Sequence, residues 1–317
     1  MKRNEIYKLI QEYLKDPPVI IWGSGATIAC GLPSMNDLND TLKAKFSFFD
    51  KNNINLENEL GKAKYEPHIS EIRKCIWECI AEKDVSFLNN ILEKSDTYIG
   101  VKKLIEKFTD PHPNILNIIT TNYDRVLENT MAFNNISYTD GFSGRLLSVF
   151  DETLFSEKKK SPFVKLIKVH GSLNWFYING ETRYFHGNNN FDPKIIPPGK
   201  NKFQEAFAEP YRTLIQNSDE IIKNSRSLLV VGFGFNDEHL TPQITTKIKK
   251  GCPIVILTKQ LTDTTKKQLE NASFYLCLEE SESRKTKISY KKRMDSSEET
   301  IEVDGDFWQL NNFMEAL

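Results

Sequence analysis

Short apolar runs recur along the chain, and each is bounded by turn-forming residues. The runs are VIIW at 19–22, ILNIITTN near 115–122, FVKLIKVHG near 163–171, SLLVVGFGF near 227–235, PIVILT near 253–258 and the weaker FYLCL near 274–278. Short aliphatic or β-branched runs are typical of parallel strands that are covered on both faces. Most are separated by segments long enough for crossover helices. The pattern therefore predicts an α/β fold, a doubly wound (Rossmann-like) parallel sheet with helices on both faces.

The segments between these runs have other patterns. Apolar residues in the first 14 positions are spaced for one face of a helix, which two prolines then end. Residues 43–110 combine helical periodicity with many charges and are predicted to form a helical insertion. Loops and short hairpins are expected near 140–212, and a charged loop or hairpin followed by a short C-terminal helix is expected over 279–317. The whole chain, 1–317, is interpreted as one domain.

Composition excludes several classes of protein. The 317 residues carry a formal net charge of −1, so no direct binding to nucleic acid or to a membrane is expected. The charged, amphipathic N-terminus does not resemble a signal peptide, and no apolar run approaches the roughly 20 residues that span a bilayer. The five cysteines are odd in number and scattered, which argues against a disulfide framework. A cytoplasmic protein with reduced thiols is therefore expected.

The first candidate site is the turn Gly23-Ser24-Gly25-Ala26-Thr27, which directly follows the VIIW run. A strand that ends in glycines before a helix lets backbone amides approach a pyrophosphate. Ile28 replaces the third glycine of the usual dinucleotide motif, and no acidic residue closes a second strand about 20 residues further on. A dehydrogenase-type site is therefore disfavoured, and a plain tight turn is the alternative.

Two more polar segments follow predicted strands. Thr120-Thr121-Asn122-Tyr123-Asp124 stands at a strand's carboxyl end, where doubly wound sheets bind ligands; helix capping is the alternative, above all for Asp124. Val169-His170-Gly171-Ser172 ends the next run, and histidine often serves as a general base near neutral pH. Ordinary structural roles are expected for the other histidines, which follow no comparably apolar strand: His68, His112, His186 and His239.

The fourth candidate is the segment GFGFNDEH at 232–239, after SLLVV. Its two glycines, Gly232 and Gly234, again allow close backbone approach at a strand end. Asn236 and Asp237 can cap the next helix or bind ribose hydroxyls, and capping is favoured for Asp237.

Taken in order, these four motifs resemble those of the sirtuin superfamily. Sirtuins carry a G-A-G-x-S turn, a T-Q-N-x-D segment, an H-G pair and a late G-x-S turn, and the resemblance spans roughly residues 18–258. The G-L-P-S continuation at 31–34 and the G-F-x-F-x-D-x-H segment are more similar to the sirtuin-like proteins of bacterial antiphage defence, which deplete NAD, than to protein deacylases.

The resemblance implies roles for the matched positions. The candidate NAD-binding residues are Gly23, Ser24, Gly25, Thr27, Asp124, Gly232, Gly234 and Asp237. The first four would hold the NAD phosphates, and Gly232 and Gly234 would lie against the adenosine half. Asp124 would lie near the nicotinamide amide. Asn122 would orient the nicotinamide ribose or the attacking water, and His170 would be the catalytic base.

Three departures from the sirtuin pattern matter. Deacylating sirtuins follow the first turn with G-I-P-D-F-R, whereas residues 31–36 read G-L-P-S-M-N, so the nicotinamide pocket must be closed differently. Thr121 replaces a glutamine. The four-cysteine zinc module is absent: Cys75 and Cys79 share a helix face, but tetrahedral structural zinc needs four ligands. No zinc or other metal site is therefore predicted, which counts against the usual acyl-lysine groove.

The resemblance implies hydrolysis of NAD, as substrate, to nicotinamide and ADP-ribose, in antiphage defence by NAD depletion. Two alternatives stay open, an NAD-dependent protein deacylase and a non-catalytic module that senses NAD or ADP-ribose. Because an NAD hydrolase harms its own cell unless it is held inactive, we expect a homo-oligomer or an activating partner such as a HerA-like hexameric ATPase. Four residues of the helical insertion could pack against a neighbouring subunit, although an internal helical core is the favoured interpretation. They are Ile72, Ile76, Trp77 and Ile80.

Overall fold

The computed structural model describes residues 3–93, 98–110, 115–144, 147–156, 163–185, 190–199, 205–292, 297–315 and 317. Of the histidines considered above, His112 and His186 lie outside these residues. Across the described ranges, no helix is long and apolar enough to cross a membrane.

Fourteen strands lie within the described residues, and they form two sheets. In chain order they are β1 (Val19–Trp22), β2 (Ile115–Thr120), β3 (Tyr138–Thr139), β4 (Phe142–Ser143), β5 (Leu147–Phe150), β6 (Phe163–Lys168), β7 (Gly171–Ile178), β8 (Glu181–Phe185), β9 (Asp192–Ile195), β10 (Leu228–Val231), β11 (Ile254–Leu257), β12 (Tyr275–Glu282), β13 (Lys285–Lys291) and β14 (Glu299–Asp304). All six predicted apolar runs contain strands, namely β1, β2, β6, β10, β11 and β12.

The larger sheet has the order β14-β13-β12-β11-β10-β1-β2-β6-β3. Neighbours from β12 to β3 are parallel, and β13 and β14 extend the sheet with antiparallel pairs. Leaving aside β3, which has 2 residues, the parallel strands follow the order 3-2-1-4-5-6 of a dinucleotide-binding sheet. This topology confirms the predicted doubly wound, Rossmann-like α/β fold. The order in which successive strands are added to the sheet reverses between β1 and β10.

Helices cover both faces of this sheet. Ten α-helices lie in the described ranges: α1 (Arg3–Tyr13), α2 (Met35–Lys45), α3 (Leu56–Leu60), α4 (Ile69–Glu93), α5 (Ile99–Thr109), α6 (Val126–Phe133), α7 (Tyr211–Asn224), α8 (Thr241–Lys249), α9 (Asp263–Leu269) and α10 (Leu310–Phe313). Ile20 and Trp22 of β1 pack in one core with α1, α5 and α6, whereas Val19 and Ile21 pack in a second core with α7, α8 and α9. Because side chains alternate along a strand, an all-apolar β1 serves both cores.

The predicted insertion contributes a third apolar core. Residues 43–110 contain the end of α2 and all of α3, α4 and α5, of which α5 packs against the main sheet instead. Ile72 and Ile76 are 0% and 1% exposed, and Trp77 donates through Nε1 to the Leu173 carbonyl at 2.8 Å. Ile80 is also buried. The proposal that these four side chains face a neighbour is therefore wrong, and the internal-core alternative is right.

Two regions expected to contain loops or hairpins form paired strands. Within 140–212, β4, β5, β7, β8 and β9 make an antiparallel sheet of the order β4-β5-β8-β7-β9. Asn179 and Gly180 join β7 to β8, both with positive φ, as a two-residue hairpin turn requires. The charged segment after 279 forms the end of β12, β13 and β14, which agrees with the hairpin alternative and not with the loop. Ile288 and Tyr290 of β13 are buried, which explains why this segment pairs with the sheet.

Candidate active site at the carboxyl edge of the sheet

One cleft gathers most of the residues singled out in the sequence. It lies at the carboxyl ends of β1, β2, β6 and β10, beside the point where strand order reverses, and holds about 880 Å³ of atom-free space, partly open to solvent. The predicted residues that line it are Ser24, Thr27, Asn122, Asp124, His170, Gly232, Gly234 and Asp237. Such a switch point is where doubly wound sheets bind ligands.

Asn122 is held by the turns after β1 and β2, and we call Gly23, Thr27, Thr120 and Asn122 the Asn122 cluster. The amide nitrogen Nδ2 of Asn122 donates to the Gly23 carbonyl at 3.2 Å and to Thr27 Oγ1 at 3.3 Å. The backbone N–H of Asn122 donates to Thr120 Oγ1 at 3.0 Å, and that hydroxyl donates to the Trp22 carbonyl at 2.8 Å. Because a carbonyl only accepts, Nδ2 must face Gly23.

The other half of the Asn122 amide, its oxygen, lacks a hydrogen-bond donor within the described ranges. Its oxygen Oδ1 is buried and has no hydrogen-bond partner among the described residues. Asn122 as a whole is 7% exposed and lines the cleft. A buried acceptor without a donor is costly, so such an atom indicates a position that a ligand hydroxyl or a water fills.

Asp124 combines capping with a contact to the same cluster. Its Oδ1 accepts from the Val126 N–H at 3.2 Å, at the start of α6, and its Oδ2 accepts from Thr27 Oγ1 at 3.3 Å. Burial raises the pKa of Asp124 to about 6, and nearby Lys168 opposes part of that rise. The capping alternative therefore describes one real contact of Asp124, while its position in the cleft wall leaves the nicotinamide contact open.

The glycines pack the two turns against each other. A Cβ at Gly23 would lie 2.4 Å from the Gly232 carbonyl oxygen, and one at Gly232, whose φ is +62°, would lie 2.0 Å from the Ala26 nitrogen. The amides of Gly23 and Gly25 donate to the carbonyls of Val231 and Gly232, both at 2.9 Å. These two amides are therefore engaged within the fold, and the glycines serve mainly by letting the turns approach.

His170 meets residues from a distant strand, and we call His170, Asp237 and His239 the His170 cluster. Nε2 of His170 lies 3.1 Å from Asp237 Oδ2 and 3.4 Å from His239 Nδ1. His170 follows β6 and the other two follow β10, with β2 and β1 between them in the sheet. Three strand spacings are about 14 Å, so the loops cross over the ends of β1 and β2 to meet.

Asp237 has two roles that the sequence did not show together. Its Oδ1 accepts from the backbone N–H groups of His239 at 3.1 Å and Leu240 at 3.0 Å, so it stabilises the turn that leads into α8, whose own N-cap is Leu240. Its Oδ2 faces His170. His239, for which an ordinary structural role was expected, lies with its ring against His170. His68 does pair with an ordinary partner, Glu71.

A buried lysine beneath the site was not anticipated. Lys168, which ends β6, is 1% exposed and pairs with Glu128 Oε1 at 2.6 Å. The same ammonium donates to the Tyr123 and Asp124 carbonyls, which fixes the turn that carries Asn122. A lysine in a mainly apolar run, two residues before His170, was the signal for this contact.

The helical layer closes the cleft and is tied to the same turn. Met35 and Leu38 of α2 and Ile80 of α4 line the cleft. The G-L-P-S segment starts α2: Ser34 Oγ accepts from the Asp37 N–H, and the Asp37 carboxylate accepts from the Ser34 N–H. Asp84 of α4 accepts from the backbone and guanidinium of Arg125 at 2.6 Å and 2.7 Å.

The five cysteines lie outside the cleft lining, as free thiols. Cys75 and Cys79 are on α4, and Cys79 Sγ lies 3.9 Å from Thr41 Oγ1. The absence of structural zinc remains a prediction, and the Discussion gives an experiment that tests it.

A sequence profile comparison identifies the family. The profile of the SIR2-like domain matches residues 116–290, more than half of the chain and a segment that includes Asn122, His170 and Asp237. The chain belongs to the SIR2-like domain family. No curated protein sequence matches it.

Solved structures similar to this SIR2-like chain share little sequence with it. A SIR2 homologue in complex with NAD is 13% identical, with a TM-score of 0.49, over 84% of this chain and 86% of the other. A sirtuin structure that concerns the basis of substrate affinity is 14% identical, with a TM-score of 0.46, over 86% and 98%. Sir2 bound to an acetylated peptide is 14% identical, with a TM-score of 0.44, over 83% and 89%. The family assignment rests on the profile match.

Proposed function

We propose that this SIR2-like chain binds NAD in the cleft and hydrolyses the bond between nicotinamide and ribose. The observation that carries the proposal is the Asn122 amide, whose Nδ2 is fixed by Gly23 and Thr27 while its buried Oδ1 is unpartnered in the cleft that His170 lines. An acceptor that is held in place before the ligand arrives suits a ribose hydroxyl or an attacking water.

Hydrolysis of this bond requires little covalent participation by the protein. Nicotinamide leaves NAD as a neutral molecule, so the C1′–N bond breaks with its electron pair going to nicotinamide, through an oxocarbenium-like transition state. Water oxygen forms the new bond to C1′, and its proton passes to a base. The products are nicotinamide, ADP-ribose and a proton. Orientation of the ribose, exclusion of bulk water and placement of one water molecule are the tasks left to the site.

His170 is suited to take that proton. The ionised Asp237 carboxylate only accepts, so it favours the tautomer of His170 that carries its hydrogen on Nε2. The lone pair then lies on Nδ1, which becomes the basic atom. Asp237 also stabilises the imidazolium that forms, in the way the carboxylate of a hydrolase triad does. General base help of this kind contributes roughly 10²–10⁴-fold in rate.

The turn after β1 is suited to the phosphates. Ser24 and Gly25 are exposed at the carboxyl edge, next to the point where strand order reverses, and Ser24 lines the cleft. Because the Gly23 and Gly25 amides are already engaged, phosphate contacts would come from the Ser24 hydroxyl and other groups of the turn. Gly232 and Gly234 line the wall that would receive the adenosine half.

The biological role we propose is depletion of cytoplasmic NAD in antiphage defence, held in check by assembly. The support is the SIR2-like family and the G-L-P-S and G-F-x-F-x-D-x-H segments. Light scattering combined with an activity assay over a range of chain concentrations tests the assembly claim. We expect a homo-oligomer, or activation by a hexameric ATPase partner; a monomer whose specific activity is independent of concentration would contradict it.

Product analysis separates the proposed reaction from its rivals. The purified chain is incubated with NAD, with and without an acetyl-lysine peptide, and nicotinamide and ADP-ribose are measured by chromatography. Equal amounts of both products without peptide are expected. Nicotinamide release only with peptide would indicate a deacylase, and NAD binding by calorimetry without nicotinamide release at any chain concentration would indicate a sensing module.

A further inference from the structure

The His170 cluster brings three electron-donating atoms to one point. Nε2 of His170, Oδ2 of Asp237 and Nδ1 of His239 all lie within 4.8 Å of one another, and across the described ranges no other three His, Cys, Asp or Glu side chains meet this way. His170 and Asp237 are buried, and His239 is partly buried. Nε2 of His170 faces both neighbours, and a metal cation can bind all three atoms together.

Two of the three spacings suit a small tetrahedral ion. Zinc bonds to histidine nitrogen and carboxylate oxygen are about 2.0–2.2 Å long, which sets ligand-to-ligand distances of about 3.3–3.5 Å. The two distances from His170 Nε2 are 3.1 Å to Asp237 and 3.4 Å to His239. Asp237 is further fixed because its second oxygen accepts two backbone N–H groups. Ligands oriented by such contacts bind metals more tightly.

The kind of ligand atom selects the class of ion. Two imidazole nitrogens and one carboxylate oxygen suit Zn²⁺ and the other first-row divalent transition metals, whereas Mg²⁺ and Ca²⁺ prefer sets made of oxygen. Three protein ligands also leave a fourth position for water or another ligand, and His170 and Asp237 both line the cleft.

We propose that His170, Asp237 and His239 form a binding site for a divalent transition-metal ion of the Zn²⁺ class, and that its occupation inhibits the chain. The inhibition, unlike the binding, rests on the proposed hydrolysis of NAD. A metal on Nε2 moves the one hydrogen of the neutral ring to Nδ1, the atom that has to accept a proton from water. The bound ion therefore removes the base without disturbing the fold.

Direct binding tests the site without reference to activity. The full chain is freed of metal with a chelator, dialysed and titrated with Zn²⁺ against a colorimetric zinc indicator, and Co²⁺ is used to record visible absorption of a low-symmetry N/O site. We expect one ion per chain, and at least a 10-fold weaker affinity for His239→Gln and Asp237→Asn, each of which removes one ligand. In Asp237→Asn the amide oxygen can still accept the two capping N–H groups.

Two matched variants control for binding elsewhere. His68→Gln makes the same substitution on the helical layer, where His68 stacks on Phe48, and Cys79→Ser removes the half-buried thiol of α4. Both are expected to bind Zn²⁺ as the unaltered chain does. Binding that is lost in Cys79→Ser, or kept in full by His239→Gln, would overturn the proposed site, as would the absence of binding below millimolar Zn²⁺.

The ratio of NAD hydrolysis with and without Zn²⁺, measured within each variant, tests the inhibition. We expect Zn²⁺ to inhibit the unaltered chain and His68→Gln at least 10-fold more strongly than His239→Gln. Activation by Zn²⁺ would overturn the inhibitory role. If no variant hydrolyses NAD but the binding pattern holds, the proposed function fails and the metal site stands. If the chain hydrolyses NAD but binds no Zn²⁺, the proposed function stands and the metal site fails.

Discussion

The two clusters that meet in the cleft are built in different ways. The Asn122 cluster joins the ends of β1 and β2, which are neighbours in the sheet, so its hydrogen bonds continue the strand pairing that precedes them. The His170 cluster joins loops after β6 and β10, which are separated by two strands. The first leaves one acceptor without a donor, and the second gathers three electron-donating atoms. In the proposed function, the first cluster, from neighbouring strands, would bind the ligand, and the second, from loops that cross the intervening strands, would transfer the proton.

The largest effect is expected at Asn122, and it tests whether the fixed amide is needed. In Asn122→Asp the side chain keeps its shape but loses the donor, so an oxygen would face the Gly23 carbonyl and the orientation of the other oxygen would be lost. We predict a fall in NAD turnover of about 10³-fold, a loss typical of a preorganised polar group. Asn122→Ala should lose turnover as well.

Thermal unfolding and NAD binding are the controls for the Asn122 variants. Only a small change in unfolding temperature is expected for Asn122→Ala, because net hydrogen bonds contribute about 1 kcal/mol each. A drop of many degrees together with loss of binding would mean that Asn122 is a structural cap and not part of a reaction centre.

His170→Ala tests the second cluster and is expected to have the next largest effect. Removing the base should lower turnover by at least about 10²-fold while the chain still folds and binds NAD. Rapid nicotinamide release assays and calorimetry measure the two properties separately. NAD consumption at the original rate would remove His170 from the mechanism and leave the Asn122 cluster alone.

Asp140 offers a comparison outside both clusters, where a buried carboxyl should affect stability and not turnover. Burial raises its pKa in the folded chain from 3.8 to about 6. A raised carboxyl pKa gives a contribution to stability that is full below pH 3.8 and is lost as the pH rises through about 6. Between pH 4 and 7 the unaltered chain should therefore lose roughly 2 kcal/mol relative to Asp140→Asn.

Denaturant unfolding of both proteins at several pH values checks this. The free energy of unfolding of Asp140→Asn minus that of the unaltered chain should grow with pH. A difference that stays constant across this range would show that the Asp140 carboxyl does not titrate there.

The smallest effect is expected from removing metal. With four buried cysteines and one partly buried, all free, we predict no structural zinc. Dialysis against a chelator should leave the thermal unfolding temperature unchanged, since the site at His170 would hold an exchangeable ion only. One tightly held zinc per chain by elemental analysis, with unfolding on its removal, would contradict this and strengthen the deacylase alternative.

The features that could be predicted from the sequence are those set by residues adjacent along the chain or by the order of the strands. The apolar runs gave the six parallel strands, and the position of Asn122 and His170 just after strands placed both at the carboxyl edge. The pairing of His170 with Asp237 and His239 depends on how two loops cross intervening strands, and no local pattern encodes that. The hairpin at Asn179-Gly180 was encoded locally, and its turn signal was overlooked.

For the charged C-terminal region the sequence left a loop and a hairpin open, and burial in the sheet explains why it forms paired strands. In β13 the polar residues alternate with Ile288 and Tyr290, which are buried against the sheet, while Lys287 pairs with Glu279 at 2.9 Å. An antiparallel strand such as β13, which lies between β12 and β14, can be mostly polar because only one of its faces needs to be apolar. Composition alone therefore resembled a solvated loop.

A double-variant cycle tests most directly whether the two clusters serve one reaction. Nicotinamide release from NAD is measured for the unaltered chain, Asn122→Asp, His170→Ala and the double variant, at several chain concentrations. If both groups act on one water molecule and one ribose, the double variant should be scarcely slower than the slower single variant, because residues that act as a unit are not additive. Three results would contradict the account. The losses of the two single variants could multiply in the double variant, the single variants could keep the original rate, or the unaltered chain could release no nicotinamide at any concentration.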